Sequence, residues 1–170
     1  MIIAETERLL ISKIKLQDAP FFLELANTPH WIKYIGDRNL KTVKDAENYL
    51  KNRTLKSYDD FGFGFYKLQL KENNKTIGIC GLVKREELED VDIGFGLLPN
   101  YEGKGFGFES SIEILKLAKE KFNLKRVAAI TMPINKPSIQ LLEKLGLVFE
   151  KRVKPFEDDD ELLLFAKNLN

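Results

Sequence analysis

Two hydrophobic rhythms divide the chain. Residues 8–14 (RLLISKI) are apolar and partly alternating, the pattern of a first β-strand. Asp18-Ala19-Pro20 supplies a helix start, with Phe21, Phe22 and Leu25 as its apolar face and Asn27-Thr28-Pro29 as its end. Thr42 with Asp45 forms a capping-box pattern, followed at helical spacing by Val43, Ala46 and Leu50. Asp59-Asp60 predicts a turn. Phe61, Phe63 and Phe65 then alternate with Gly62, Gly64 and Tyr66, and Leu68 and Leu70 keep the same period, so a strand is expected there, its aromatics in the core. Residues 72–75 form a hairpin turn into a strand at 76–83. The acidic turn 86–90 leads into another strand at 91–98.

From Phe106 the rhythm changes. Phe108, Ile112, Leu115 and Phe122, widened by Ile114, Leu117 and Ala118, predict a helix of about four turns ending near Asn123. Residues 126–132 (RVAAITM) are almost continuously apolar, as suits a strand buried on both faces. Asn135 can cap a second helix whose face is Ile139, Leu142 and Leu145, with Gly146 at its C-terminal stop. Strands at 148–153 and 161–167 close the chain around the acidic turn 157–160, expected to be solvated. The order β-α-α-β-β-β-α-β-α-β-β predicts a mixed α/β (α+β) sheet. Short turns make its middle strands antiparallel, and the helix before 126–132 implies one parallel crossover.

Composition narrows the function. The chain has 170 residues with 27 basic and 26 acidic side chains, a net charge of +1. That length suits one domain, and the balanced charge argues against a nucleic-acid partner. One cysteine (Cys80, expected to be a buried apolar residue) and one histidine (His30) leave no disulfide and little for a metal site. No apolar run is long enough for a membrane span, and the start lacks a basic segment before an apolar one, so a cytoplasmic protein is expected.

The candidate chemistry lies between Leu97 and Glu109. A strand ends, glycines follow at 103, 105 and 107, and a long helix begins. Glycine lets backbone N–H groups turn inward, and a helix N-terminus adds unpaired donors and partial positive charge, which together cradle an anion such as a diphosphate. The stretch is neither dinucleotide fingerprint nor P-loop: Phe108 stands where the first needs glycine, and Gly105 follows Gly103-Lys104 where the second needs Ser or Thr.

Pro99-Asn100-Tyr101-Glu102-Gly103-Lys104-Gly105-Phe106-Gly107 resembles the acetyl-CoA loop, Arg/Gln-x-x-Gly-x-Gly/Ala, of the Gcn5-related N-acetyltransferase (GNAT) superfamily. Gly105 and Gly107 match, whereas Glu102 replaces the usual Arg or Gln. Residues 135–147 are similar to the family's Asn-x-x-(Ser/Ala)-x-x-x-x-Glu-Lys-x-Gly-Phe helix. The Glu7-Arg8-Leu9 start agrees as well, and the resemblance is closest to the ribosomal-protein N-terminal acetyltransferase branch.

The resemblance implies a sheet with helices on both faces and a parallel strand pair that splays at the coenzyme site. It implies acetyl-CoA as cosubstrate, a primary amine (protein N-terminus or small molecule) as acceptor, no metal, and a monomer or homodimer. Main-chain groups of Leu97 and Leu98 would pair with the pantetheine arm, and a main-chain N–H there would polarise the thioester carbonyl. Gly103, Lys104, Gly105, Phe106, Gly107 and Phe108 would hold the diphosphate. Many members protonate the leaving thiolate with a tyrosine, but the matching position is Leu142. Asn135 is assigned to pantetheine, Ser138 to the thiol, and Asp92 to accepting the amine proton. Glu109 is read as an acid favoured by the helix dipole, and His30-Trp31 as packed loop residues near the acceptor pocket. The alternative is a catalytically weak module that binds acyl-CoA as a sensor.

Overall fold

The fold is described from a computed structural model covering residues 1–156 and 161–170. The expected acidic turn at 157–160 lies outside the described residues.

Eight strands form one sheet in the order β1-β2-β3-β4-β5-β6-β8-β7. The strands are β1 (Ile2–Glu5), β2 (Leu9–Lys13), β3 (Phe65–Leu70), β4 (Thr76–Val83), β5 (Asp92–Leu97), β6 (Arg126–Thr131), β7 (Val148–Val153) and β8 (Leu162–Asn168). All neighbours are antiparallel except β5 and β6, the one parallel pair, joined at the single register point Asp92↔Ala128. The expected mixed sheet with one parallel crossover is therefore present. The added strand β1 folds back on β2, with Ile2 opposite Ser12. Its four residues are too few to declare a period.

Helices cover both faces. The long helix α5 (Phe106–Glu120) and α6 (Lys136–Lys144) bring Ile114, Leu115 and Leu142 against Cys80, Leu82 and Ile93 of the sheet. On the other face, α1 (Ala19–Ala26), α2 (Pro29–Tyr34) and α3 (Val43–Leu50) set Phe22, Leu25, Trp31 and Leu50 against Ile79 and Leu98. Ile79 and Cys80 are adjacent in β4 and point to opposite faces, so the central strand is buried on both.

Three local expectations are corrected. Asp59 and Asp60 are helical, not a turn. Helix α3 continues through a π-helical stretch, Lys51–Leu55, into α4 (Lys56–Phe61), where Lys56 pairs with Asp60 one turn on. Gly62, at φ +81°, ends that run, so the next strand begins at Phe65 and Phe61 is 48% exposed rather than core. The third concerns α5. Its buried residues are Phe106, Gly107, Ser110, Ser111, Ile114, Leu115 and Ala118, so the expected Ile114, Leu115 and Ala118 are in the core whereas Ile112 is exposed. Gly107, Ser110, Ser111 and Ala118 share the buried side with the large apolar residues, and Ile112 alone of the expected stripe falls outside it.

Candidate functional site

The parting of β5 from β6 creates the site. The Ala128 N–H donates to the Val91 carbonyl at 2.9 Å, and beyond Asp92↔Ala128 the two strands have no further register. Strand β5 keeps its full pairing with β4 on the other side. Main-chain groups alternate in direction along a strand. The Leu98 N–H donates to the Ile77 carbonyl of the β4 side at 2.8 Å, so Leu97, Phe95 and Ile93 turn their N–H and C=O toward the opened edge. This corrects the assignment of Leu98, whose carbonyl is also taken, by the Tyr101 N–H at 2.9 Å. Leu97 keeps its place, and Phe95 is a candidate that the sequence pattern did not single out.

Next to this edge, a 3-10 turn (Pro99–Tyr101) leads into the glycine loop and α5. Gly103 and Gly105 have φ of +71° and +86°, a left-handed conformation in which a side chain is strained. Gly107 has another reason to be glycine. A Cβ there would come within 3.2 Å of Leu141 of α6, so its smallness sets how closely the two helices pack beside the opening. The peptide N–H groups of Gly105, Phe106, Gly107 and Phe108 have no acceptor among the described residues; the first bond back into the loop is from the Glu109 N–H to the Gly105 carbonyl at 3.0 Å. Four donors at the positive end of a fifteen-residue helix form a site for an anion. The Lys104 ammonium lies 5.8 Å from the Tyr101 ring centroid, and Phe108 packs under Lys144 at 4.3 Å.

Glu102, which stands where an Arg or Gln is usual, is tied to α2: His30 Nδ1 donates to its carboxylate at 2.8 Å. His30 and Trp31 lie on a helix capped by the Thr28 hydroxyl rather than in a loop. Trp31 sets its ring edge against β5, where a Cβ on Gly96 would meet it at 2.7 Å. Its indole Nε1–H is buried without an acceptor among the described residues. A buried donor left unpaired costs about 1–3 kcal/mol.

On α6, the Asn135 side-chain oxygen accepts from the Ser138 N–H at 3.3 Å, so Asn135 caps the helix, and its amide –NH₂ has no partner among the described residues. Ser138 is half-buried in the first turn, and its hydroxyl has no protein partner among the described residues. Leu142 is 1% exposed, inside the core.

Asp92 is at the apex of the parting, its side chain on the sheet face shared by Gly94 and Gly96, toward Phe65 and Trp31. It is 2% exposed and accepts from Arg85 Nε at 2.9 Å. Burial pushes its carboxyl up to about 6, against the opposing pull of Arg85. Cys80 is buried next to Ser111, and burial pushes its thiol up to about 11, so it is protonated and unreactive at neutral pH.

The glycine loop at the N-terminus of α5 lies beside the opened edge of β5. The sequence profile described as "Acetyltransferase (GNAT) domain" matches residues 8–148. The chain belongs to the GNAT acetyltransferase family. "Uncharacterized N-acetyltransferase p20" of Bacillus licheniformis is 29% identical over 153 residues, covering 89% of this chain and 85% of that protein. The crystal structure of a GNAT-family acetyltransferase from Bacillus anthracis superimposes with a TM-score of 0.80 at 26% identity, covering 99% of each chain. The ribosomal-protein alpha-N-acetyltransferase RimL, in complex with coenzyme A, shares the fold with a TM-score of 0.85 at 14% identity, covering 99% of this chain and 98% of that one. The protein is accordingly an acyl-CoA-dependent acetyltransferase. Among the described residues, no helix is long and apolar enough to cross a membrane, and no cluster of side chains could hold a metal ion.

Proposed function

We propose that this GNAT protein transfers the acetyl group of acetyl-CoA to a primary amine, on a protein N-terminus or a small molecule, by direct attack in a ternary complex. Acetyl-CoA supplies the acyl group as a reactive thioester. The observation that carries the reading is the juxtaposition of the free amides of Gly105, Phe106, Gly107 and Phe108 with the unpaired edge of β5. The amides hold the diphosphate, with Gly103 and Lys104 shaping the approach. Leu97 and Phe95 pair with the pantetheine amides as an added strand would, and the free Asn135 –NH₂ donates to the same arm. A β5 N–H facing the opening polarises the thioester oxygen, a fixed donor in a partly dry cleft.

Ser138 relays a proton to the departing sulfur, its hydroxyl being restored in the same step by a proton from solvent, since Leu142 has no proton to give and lies in the core. Asp92 receives the amine proton. Its carboxyl near 6 is ionised at neutral pH yet basic enough to accept a proton, and a water or a shift of Arg85 must complete the path because the group is buried. No Cys or Ser stands with a histidine base to form an acyl-enzyme among the described residues, which favours direct attack.

The test is coenzyme A release, read as free thiol, with a panel of amines and amino-terminal peptides, beside calorimetric titration with acetyl-CoA. Binding together with amine-dependent thiol release is expected. Binding with no release on any amine would replace catalysis by acyl-CoA sensing, and no heat with any CoA ester would remove the cradle itself.

A further inference from the structure

Two acceptors lie among the donors of the glycine loop, and one residue from the start of the chain takes up both. The Lys104 carbonyl and the Glu109 carboxylate flank the free N–H groups of Gly105 to Phe108. Either one left bare would repel a diphosphate. A bare Glu109, in the first turn of α5, would also compete for the same amides, as acidic side chains do at helix N-termini.

Arg8, in the turn between β1 and β2, occupies both. Its Nε donates to Glu109 Oε1 at 2.7 Å, its peptide N–H to Glu109 Oε2 at 2.9 Å, and its Nη1 to the Lys104 carbonyl at 3.0 Å. The guanidinium carbon lies over the Phe106 ring, 4.1 Å from its centroid, and its Nη2 sits 3.3 Å from where a Cβ on Gly105 would be. The Thr6 hydroxyl donates to Glu109 as well and accepts from the Leu9 N–H at 3.1 Å, which anchors the turn. Partial burial alone would raise the Glu109 carboxyl, but the bonds from Thr6 and Arg8 outweigh it and keep the group ionised.

We propose that Arg8 is a positioning residue for acetyl-CoA: it neutralises the two acceptors of the glycine loop and holds Gly105 in its left-handed turn, so that the loop amides meet the diphosphate without a competing negative group. Arg8 acts through the loop and takes no part in acyl transfer. The inference rests on the reading of residues 103–108 as the diphosphate site.

The experiment compares two acyl donors, acetyl-CoA and S-acetylpantetheine, which carries the thioester arm but no diphosphate. Loss of a charge-assisted pair should raise the acetyl-CoA KM of Arg8→Ala about tenfold to a hundredfold, with kcat little changed. Its kcat/KM for S-acetylpantetheine should stay within about twofold of the parent protein's, since no diphosphate is there to repel. The double variant R8A/E109Q should recover part of the lost acetyl-CoA affinity, because the repelling carboxylate is then gone. Arg8→Lys keeps a charge but cannot bond Glu109 and Lys104 together, so it should show the same discrimination at smaller size even if the alanine variant folds poorly.

Equal losses with both donors, an unchanged acetyl-CoA KM, or a double variant as weak as R8A would each overturn the assignment of Arg8. If the unmodified protein itself used the two donors with the same KM, the diphosphate site would fail instead. A preference for acetyl-CoA that persists undiminished in R8A would fail Arg8 alone.

Discussion

Replacing Asp92 with asparagine should change how stability depends on pH, with a sign and size set by the burial of the carboxyl. In the folded protein the group titrates near 6, against an ordinary value of 3.8. The folded state therefore holds the Asp92 proton more tightly than the unfolded chain does between about pH 4 and 6, and each pH step across that interval favours unfolding. The contribution is fully present below about pH 4 and lost as pH rises through 6. Two pH units at 1.36 kcal/mol each give about 3 kcal/mol, with the opposing pull of Arg85 already included in the value near 6. Urea unfolding at pH 4, 5, 6 and 7, with a common m-value, would measure it. Relative to Asp92→Asn, which does not titrate, the parent protein should lose up to about 3 kcal/mol between pH 4 and 7. The same variant should lack the rise in kcat/KM through pH 6 that a base with this carboxyl would give. Parallel stability curves for the two proteins would refute the perturbed carboxyl. A retained pH–rate limb with a flattened stability curve would keep the burial argument and remove Asp92 as the base.

Three further outcomes follow from the site. Gly105→Val forces a side chain into φ +86°, a strain of about 1–2 kcal/mol that the loop can relieve by turning its amides away, so the acetyl-CoA KM should rise on the order of tenfold in steady-state assays. Ser138→Ala should lower kcat roughly a hundredfold with the acetyl-CoA KM nearly unchanged; a parent-like kcat would leave the hydroxyl as a first-turn residue only. Leu142→Tyr, which introduces the proton donor that the family resemblance would place there, should not raise kcat. That position is 1% exposed, so the larger ring should instead cost about 1–3 kcal/mol in thermal or urea unfolding.

The parts of this protein that sequence alone discloses are those whose cause is local. A left-handed turn needs glycine at that residue, so Gly105 and Gly146 announce themselves, and Asn135 and Thr42 announce caps because the bond they make spans three residues. The same locality explains the misreadings. Asp59 and Asp60 carry turn chemistry, yet the Lys56–Asp60 pair and the continuing π-helical turn keep them helical until Gly62. Ile112 fits an apolar stripe by spacing, but α5 turns Ser110, Ser111, Ile114 and Leu115 to the core and leaves Ile112 exposed.

The electrostatic half of the site was hidden for a different reason. His30 reaches Glu102 across 72 positions and Arg8 reaches Glu109 across 101. Nothing in either neighbourhood marks these pairs, because they depend on where the fold places the β1–β2 turn and α2 relative to the loop. A carboxylate inside an anion-binding stretch therefore looks like a defect in the one-dimensional pattern and is matched in three dimensions. This bears on Glu102: its carboxylate accepts a hydrogen bond from His30 and is tied to α2. In the proposed reading, the diphosphate is held by the main-chain donors of Gly105 to Phe108, which are independent of side-chain identity, beside a Glu109 carboxylate that Arg8 pairs from elsewhere in the chain.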